Sequence, residues 1–226
     1  MSDGADTLLA EIRRCRVCTD YLPAGPRPIV QFGASARILI IGQAPGSKVH
    51  ASGIPWADDS GERLRAWTGI PADAFYDPEQ IALVPMGFCY PGKATGGDLP
   101  PRPECAPLWH ERVLARLPAD RLTLLVGSYA QAHYLPSRPK RTMTEAVQAY
   151  PAFGASVVAL PHPAWRSTLW IRKNLWFETD ILPALRDQVR RRLTPQRLMP
   201  TKASGQNQMK GDVGEPERRP SPDPLG

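Results

Sequence analysis

The sequence predicts an α/β fold of three layers, helices on both sides of a central four-stranded, mainly parallel sheet. Two observations carry that expectation. Four short aliphatic runs are spaced along the chain, and stretches of helical periodicity separate them, the alternation that produces a parallel sheet covered on both faces. With 226 residues, 42% of them hydrophobic, the chain can also fill one complete core but not two.

Taken in order, Leu8, Leu9 and Ile12 put an apolar stripe on a short helix from Asp6 to Arg14. A Pro/Gly-rich connector, Leu22 to Arg27, leads to the first strand, Arg37 to Gly42, which runs into the turn Gly42-Gln43-Ala44-Pro45-Gly46. Ala44 to Pro55 reads as a loop. Asp58 to Trp67 reads as a helix, with Asp58, Asp59 or Ser60 as its cap and Gly69 just beyond its end. Ile81 to Val84 is a second strand, followed by a Gly/Pro-rich loop from Tyr90 to Pro103 and a helix from Cys105 to about Leu117. Arg121 to Val126 is the third strand, and Gly127-Ser128 opens the next helix. Ser156 to Leu160 is the fourth strand, closed by Pro161-His162-Pro163. Thr168 to Arg192 is helical, with a kink or restart expected at Pro183.

From Thr194 the hydrophobic periodicity stops and Pro, Gly, Gln and Ser dominate, so residues 1–193 are expected to form the folded domain and 194–226 a disordered tail. That tail holds five Lys/Arg and four Asp/Glu, so the formal charge of +6 belongs almost entirely to the domain and favours an anionic partner. No run approaches the roughly 18 apolar residues of a membrane span, and the N-terminus lacks the layout of a signal peptide. A cytoplasmic, nucleoid-associated monomer that avoids membranes is the expectation. In a reducing compartment four cysteines point to metal binding or burial rather than disulfides.

Those cysteines are the sharpest chemical signal. Cys15-x-x-Cys18 lies near the start; Cys89 and Cys105 flank the central Gly/Pro loop. Tetrahedral zinc is one reading, although zinc sites are usually two tight pairs. The wide second pair suits the larger footprint of a [4Fe-4S] cluster.

The order of motifs then resembles the iron-sulfur (family 4-like) uracil-DNA glycosylases: C-x2-C, a strand ending G-x-A-P-G, Gly53-Ile54-Pro55-Trp56, C-x15-C, and His162-Pro163 after the last strand, collinear over roughly residues 5 to 190. The resemblance implies a monofunctional enzyme that flips uracil out of single- or double-stranded DNA and hydrolyses its N-glycosidic bond. It implies that Cys15, Cys18, Cys89 and Cys105 ligate the cluster and that Trp56 stacks on the flipped base, which Gln43, Ala44 and Met86 also contact. His162 would donate to the uracil oxygen where charge develops, and Trp165, Arg166 and Ser167 would lie in the loop that enters the duplex.

Two departures from that pattern bear on function. Gln43 stands where the family has a glutamate that handles the attacking water; a glutamine orients water but takes no proton, so slow turnover is expected, with Asp58 or Asp59, or else His50, as substitutes. The family asparagine that reads the base edge is also missing, since no asparagine precedes Asn174. Backbone groups near Met86 and Gly87, or else Gln43, are the expected replacement. The competing expectations are a DNA-binding protein that has lost the chemistry and a small electron-transfer protein.

Overall fold

The computed structural model describes residues 3–135, 142–149 and 156–193. The tail expected beyond residue 193 lies outside them.

The four aliphatic runs pair as one fully parallel sheet: β1 (Ile38–Ile41), β2 (Ile81–Leu83), β5 (Leu122–Val126) and β6 (Val157–Leu160), in the order β2-β1-β5-β6. Ile38 sits opposite both Ile81 and Leu122, and Thr123 opposite Val157. Side chains alternate between faces along a strand, and here both faces are covered, so a run such as Ile-Leu-Ile-Ile is buried throughout. Leu39, Ile41 and Leu125 enter the core beneath α1 (Asp3–Arg13), α5 (Glu111–Leu114) and α6 (Ser128–Tyr134). Ile38, Ile40, Leu122 and Leu124 enter the other core, beneath α3 (Asp59–Thr68) and α9 (Leu182–Leu193). The three-layer expectation is met, and the sheet is parallel throughout.

Three short helices and a two-stranded hairpin add to the expected elements. The presumed loop after β1 contains α2 (Ser47–Ser52), which buries only Val49 and so left no apolar stripe to detect. Ala72–Phe75 forms α4, and α7 (Met143–Gln148) starts at a reciprocal cap between Thr142 and Glu145. In the Gly/Pro-rich loop, β3 (Lys93–Ala94) and β4 (Gly97–Asp98) pair as a small antiparallel hairpin across the two-residue turn Thr95-Gly96.

Two helices differ from their expected form. The one after Cys105 opens as a π-helical turn, Ala106–His110, with Pro107 in its first turn where a missing N–H costs little, and α5 ends at Leu114. In the C-terminal stretch the break comes before Pro183. There α8 (Ser167–Lys173) stops at Asn174, whose side-chain amide donates to the Trp170 carbonyl at 2.8 Å, and a π-helical segment, Phe177–Ile181, leads into α9. Pro183 is the second residue of α9, where the π-helical turns give way to α-helix, at the expected restart.

Candidate functional site

A cavity of about 620 Å³ opens at the carboxyl ends of the strands, the end at which open parallel sheets bind ligands. Its floor is the turn Gly42 to Gly46 after β1, and Pro85 extends it after β2. Its walls are Trp56, Asp58 and His162, and its rim is the β3-β4 hairpin together with residues 164–167. The turn, the aromatic and the histidine expected to act together therefore share one cavity.

Trp56 is placed with evident constraint. It is the one non-glycine residue with a positive φ (56°) among the described residues, an unfavourable backbone state for a bulky side chain. Its indole packs over Gly42 so closely that a Cβ there would lie 2.6 Å from the ring. His162 reaches the same place from the edge strand β6. It packs beside Gly127 at the end of β5, whose positive φ of 87° suits a glycine. The two rings lie 6.0 Å apart and 30° from parallel. Burial lowers the His162 pKa, with the Asp58 charge opposing, so the imidazole is neutral at pH 7 and offers one N–H.

The three acidic and polar residues expected to handle water separate in space. Gln43 lines the cavity, and its side chain makes no hydrogen bond among the described residues. Asp58 also lines it, but one carboxylate oxygen caps α3 by accepting from the Gly61 N–H at 2.9 Å. Asp59 turns away. Its carboxylate is 90% exposed and pairs with Lys48 at 3.0 Å, which holds its pKa below the ordinary range. His50 faces Tyr90, ring centroids 5.8 Å apart, and does not line the cavity.

The backbone N–H donors near Met86 that were expected to read the base are engaged within the fold. The Met86 N–H donates to the Gly42 carbonyl at 2.9 Å and the Gly87 N–H to the Gln43 carbonyl at 3.0 Å, so both donors are already used to hold the chain after β2 against the turn. The Met86 side chain is buried in the core beneath α1 and α5, away from the cavity. Ala44 lines the cavity as expected.

At the rim, Trp165 is 72% exposed, the furthest out of any large apolar side chain among the described residues. The Arg166 guanidinium sits 5.5 Å from its ring and donates to the Gly96 carbonyl of the hairpin. Ser167 Oγ donates to the His162 carbonyl, and Arg63 donates to the Ala164 carbonyl at 2.8 Å, so the loop is tied both to the histidine and to α3. Sequence reasoning missed the hairpin. Ala94 to Asp98 all line the cavity, and the Gly96-Gly97 pair amid a loop was the available turn signal.

The four cysteines meet elsewhere. Cys15 ends α1, Cys18 precedes a turn of 3₁₀ helix (Thr19–Tyr21), and Cys105 leads into the π-helical turn; with Cys89 they line one small apolar cavity beside Phe88 and Trp109. All four are free thiols. Burial pushes Cys89 up to about 12 and Cys105 to about 11, and the neighbouring sulfurs add to both shifts. No group of three or more His, Cys, Asp or Glu side chains among the described residues is placed to hold a metal ion. The donor set nevertheless suits a thiolate-bound group: four sulfurs on one apolar cavity, with the nearby Glu104 already paired to Arg102. No helix among the described residues is long and apolar enough to cross a membrane.

A strand running into Gly-Gln-Ala-Pro-Gly, a stacked aromatic beneath it and a neutral histidine after the last strand are what a glycosylase of flipped bases needs at one point in space. The model of the uracil DNA glycosylase superfamily matches residues 30–186, which span every cavity wall just described, and the chain belongs to that superfamily.

Proposed function

We propose that the protein is a monofunctional uracil-DNA glycosylase: it takes a flipped deoxyuridine into the cavity and hydrolyses the bond between C1′ and the base, leaving an abasic site. The observation that carries this reading is the pairing of Trp56 with a neutral His162 in one cavity. Trp56 supplies a stacking face, worth roughly 1 to 3 kcal/mol per base. His162 supplies an N–H for the base oxygen on which negative charge grows as the bond breaks. The neutral ring keeps one N–H for this purpose. Trp165 extends from the rim where a wedge into the base stack would act, and Arg166 lies beside it for phosphate.

Incubation with uracil-containing single- and double-stranded oligonucleotides followed by alkali tests the reading. Strand breaks at uracil are expected, slowly. Binding without breaks at enzyme excess would establish the second reading, a damage-binding protein without chemistry, which Gln43 and the outward-turned Asp59 favour.

A [4Fe-4S] cluster held by Cys15, Cys18, Cys89 and Cys105 belongs to the same proposal. When bound, it would tie together loops 86 residues apart in the chain, Cys18 and Glu104 being already in contact. What supports a cluster over zinc is the wide spacing of Cys89 and Cys105 in the chain, with all four sulfurs on one cavity. Anaerobically purified protein should be brown and contain iron and sulfide; a colourless, zinc-loaded protein would remove the cluster.

A further inference from the structure

Gln43 cannot accept a proton, Asp59 is turned outward, and Asp58 spends an oxygen on its helix. One carboxylate along the cavity has no such engagement. Asp98, the last residue of the hairpin, lines the cavity with Gln43, Trp56 and His162, and makes no hydrogen bond or ion pair among the described residues. Its Oδ2 lies 3.4 Å from where a Cβ on Gly46 would stand, and the Asp58 Oδ2 lies 4.0 Å from the same point. The carboxylate thus faces the turn that begins with Gln43.

The hairpin keeps it there. Lys93 pairs with Asp98 in register, the Leu99 N–H donates to the Gly92 carbonyl at 2.8 Å, and Arg166 donates to the Gly96 carbonyl at the tip. Asp98 is exposed at the mouth of the cavity; partial desolvation there raises its pKa, which Lys93 opposes and the charge of Asp58 reinforces. Tyr90, Asp58 and Lys93 are the titratable groups that act with it electrostatically, and His162 and Arg166 line the same cavity. A carboxylate of raised basicity is a better proton acceptor than an ordinary one.

We propose that Asp98 is the catalytic residue that takes the proton from the attacking water. This rests on the glycosylase reading. The water oxygen bonds to C1′ while one of its protons passes to the Asp98 carboxylate. The C1′–N1 bond breaks and its electron pair leaves with the base as an anion, held by the His162 N–H. The anion then takes a proton from solvent, and Asp98 returns its own. The net reaction is deoxyuridine in DNA plus water giving an abasic site plus uracil. Gln43, across the turn, orients the water.

The test is single-turnover excision from a uracil oligonucleotide between pH 5 and 9 by the full chain, by Asp98→Asn and by Asp98→Ser, with melting temperature and oligonucleotide binding measured on each. Both variants should fold, bind within about threefold of the parent and excise about 100-fold more slowly, a typical loss for a general base. The parent's rate should climb with pH through an acid limb that both variants lack, whereas Asp98→Glu should recover part of the rate. Excision by both folded variants within threefold of the parent at every pH overturns the assignment and leaves the glycosylase reading standing. No excision by the parent itself overturns both.

Discussion

The cavity at the strand ends and the cysteine cradle share the segment Pro85 to Cys89, yet they are built on opposite rules. Pro85 lines the first and Phe88 the second. In the cavity, polar groups stand unpaired: the side chains of Gln43 and Asp98 make no hydrogen bond among the described residues, and Trp56 holds a costly backbone state. The cradle is mostly apolar, with Arg102 at its edge, and burial holds the Cys89 and Cys105 thiols protonated until something displaces their protons. Unpaired, strained groups cost stability and serve chemistry. Buried thiols contribute stability only through what they bind. The two regions should therefore fail differently when disturbed.

His110 joins them. Its Nε2–H donates to the Pro85 carbonyl at 3.0 Å, which leaves Nδ1 to accept from the Tyr134 hydroxyl at 2.6 Å, and its ring stacks on Phe88. Burial lowers its pKa to about 4.

The strongest way to break the contrast is at the cradle. Replacing Cys89 and Cys105 together by alanine should abolish the visible absorbance and lower the melting temperature steeply, and a variant as brown and as stable as the parent would deny the cradle its role. Next, His162→Ala should lower excision by about 10²- to 10³-fold, as removal of one charge-stabilising donor does. Its colour, melting temperature and DNA affinity should stay unchanged, and loss of colour would dissolve the division between the regions.

The link through His110 predicts acid sensitivity. Its folded pKa lies below its unfolded value, so the unfolded chain binds the extra proton, and the stability is whole above about pH 6.5 and falls as the pH drops toward 4. The loss should reach about 3 kcal/mol, and urea melts of the parent and of His110→Gln, which should flatten the slope, measure it. Trp56→Ala should weaken binding of uracil-containing single strands by about 1 to 3 kcal/mol and leave the colour alone, which fluorescence anisotropy and an absorbance spectrum check together. The smallest effect belongs to Asp59→Asn: with its carboxylate in solvent, excision should stay within about twofold, since a fully exposed surface pair contributes little.

Much of this was legible from residue order alone. The strands were, because a sheet buried on both faces writes itself as uninterrupted aliphatic runs, as in Ile38-Leu39-Ile40-Ile41. His162 between prolines and Trp56 after Gly-Ile-Pro were legible because their motifs are contiguous. The hairpin carrying Asp98 was not: two residues per strand are too few for any periodicity to register. Nor was the fate of the Met86 and Gly87 N–H groups, since a backbone donor carries no sequence signature.

By itself, then, the sequence determined the layered α/β fold, four cysteines in a telling order and the chemistry on offer at the strand ends. Only the tertiary structure decided which of three neighbouring aspartates cap, pair or face the cavity. Successive residues at a helix start point in directions about 100° apart, so Asp58 and Asp59 part company at once. Asp98 reaches the same turn only because a hairpin forty residues further on folds back over it.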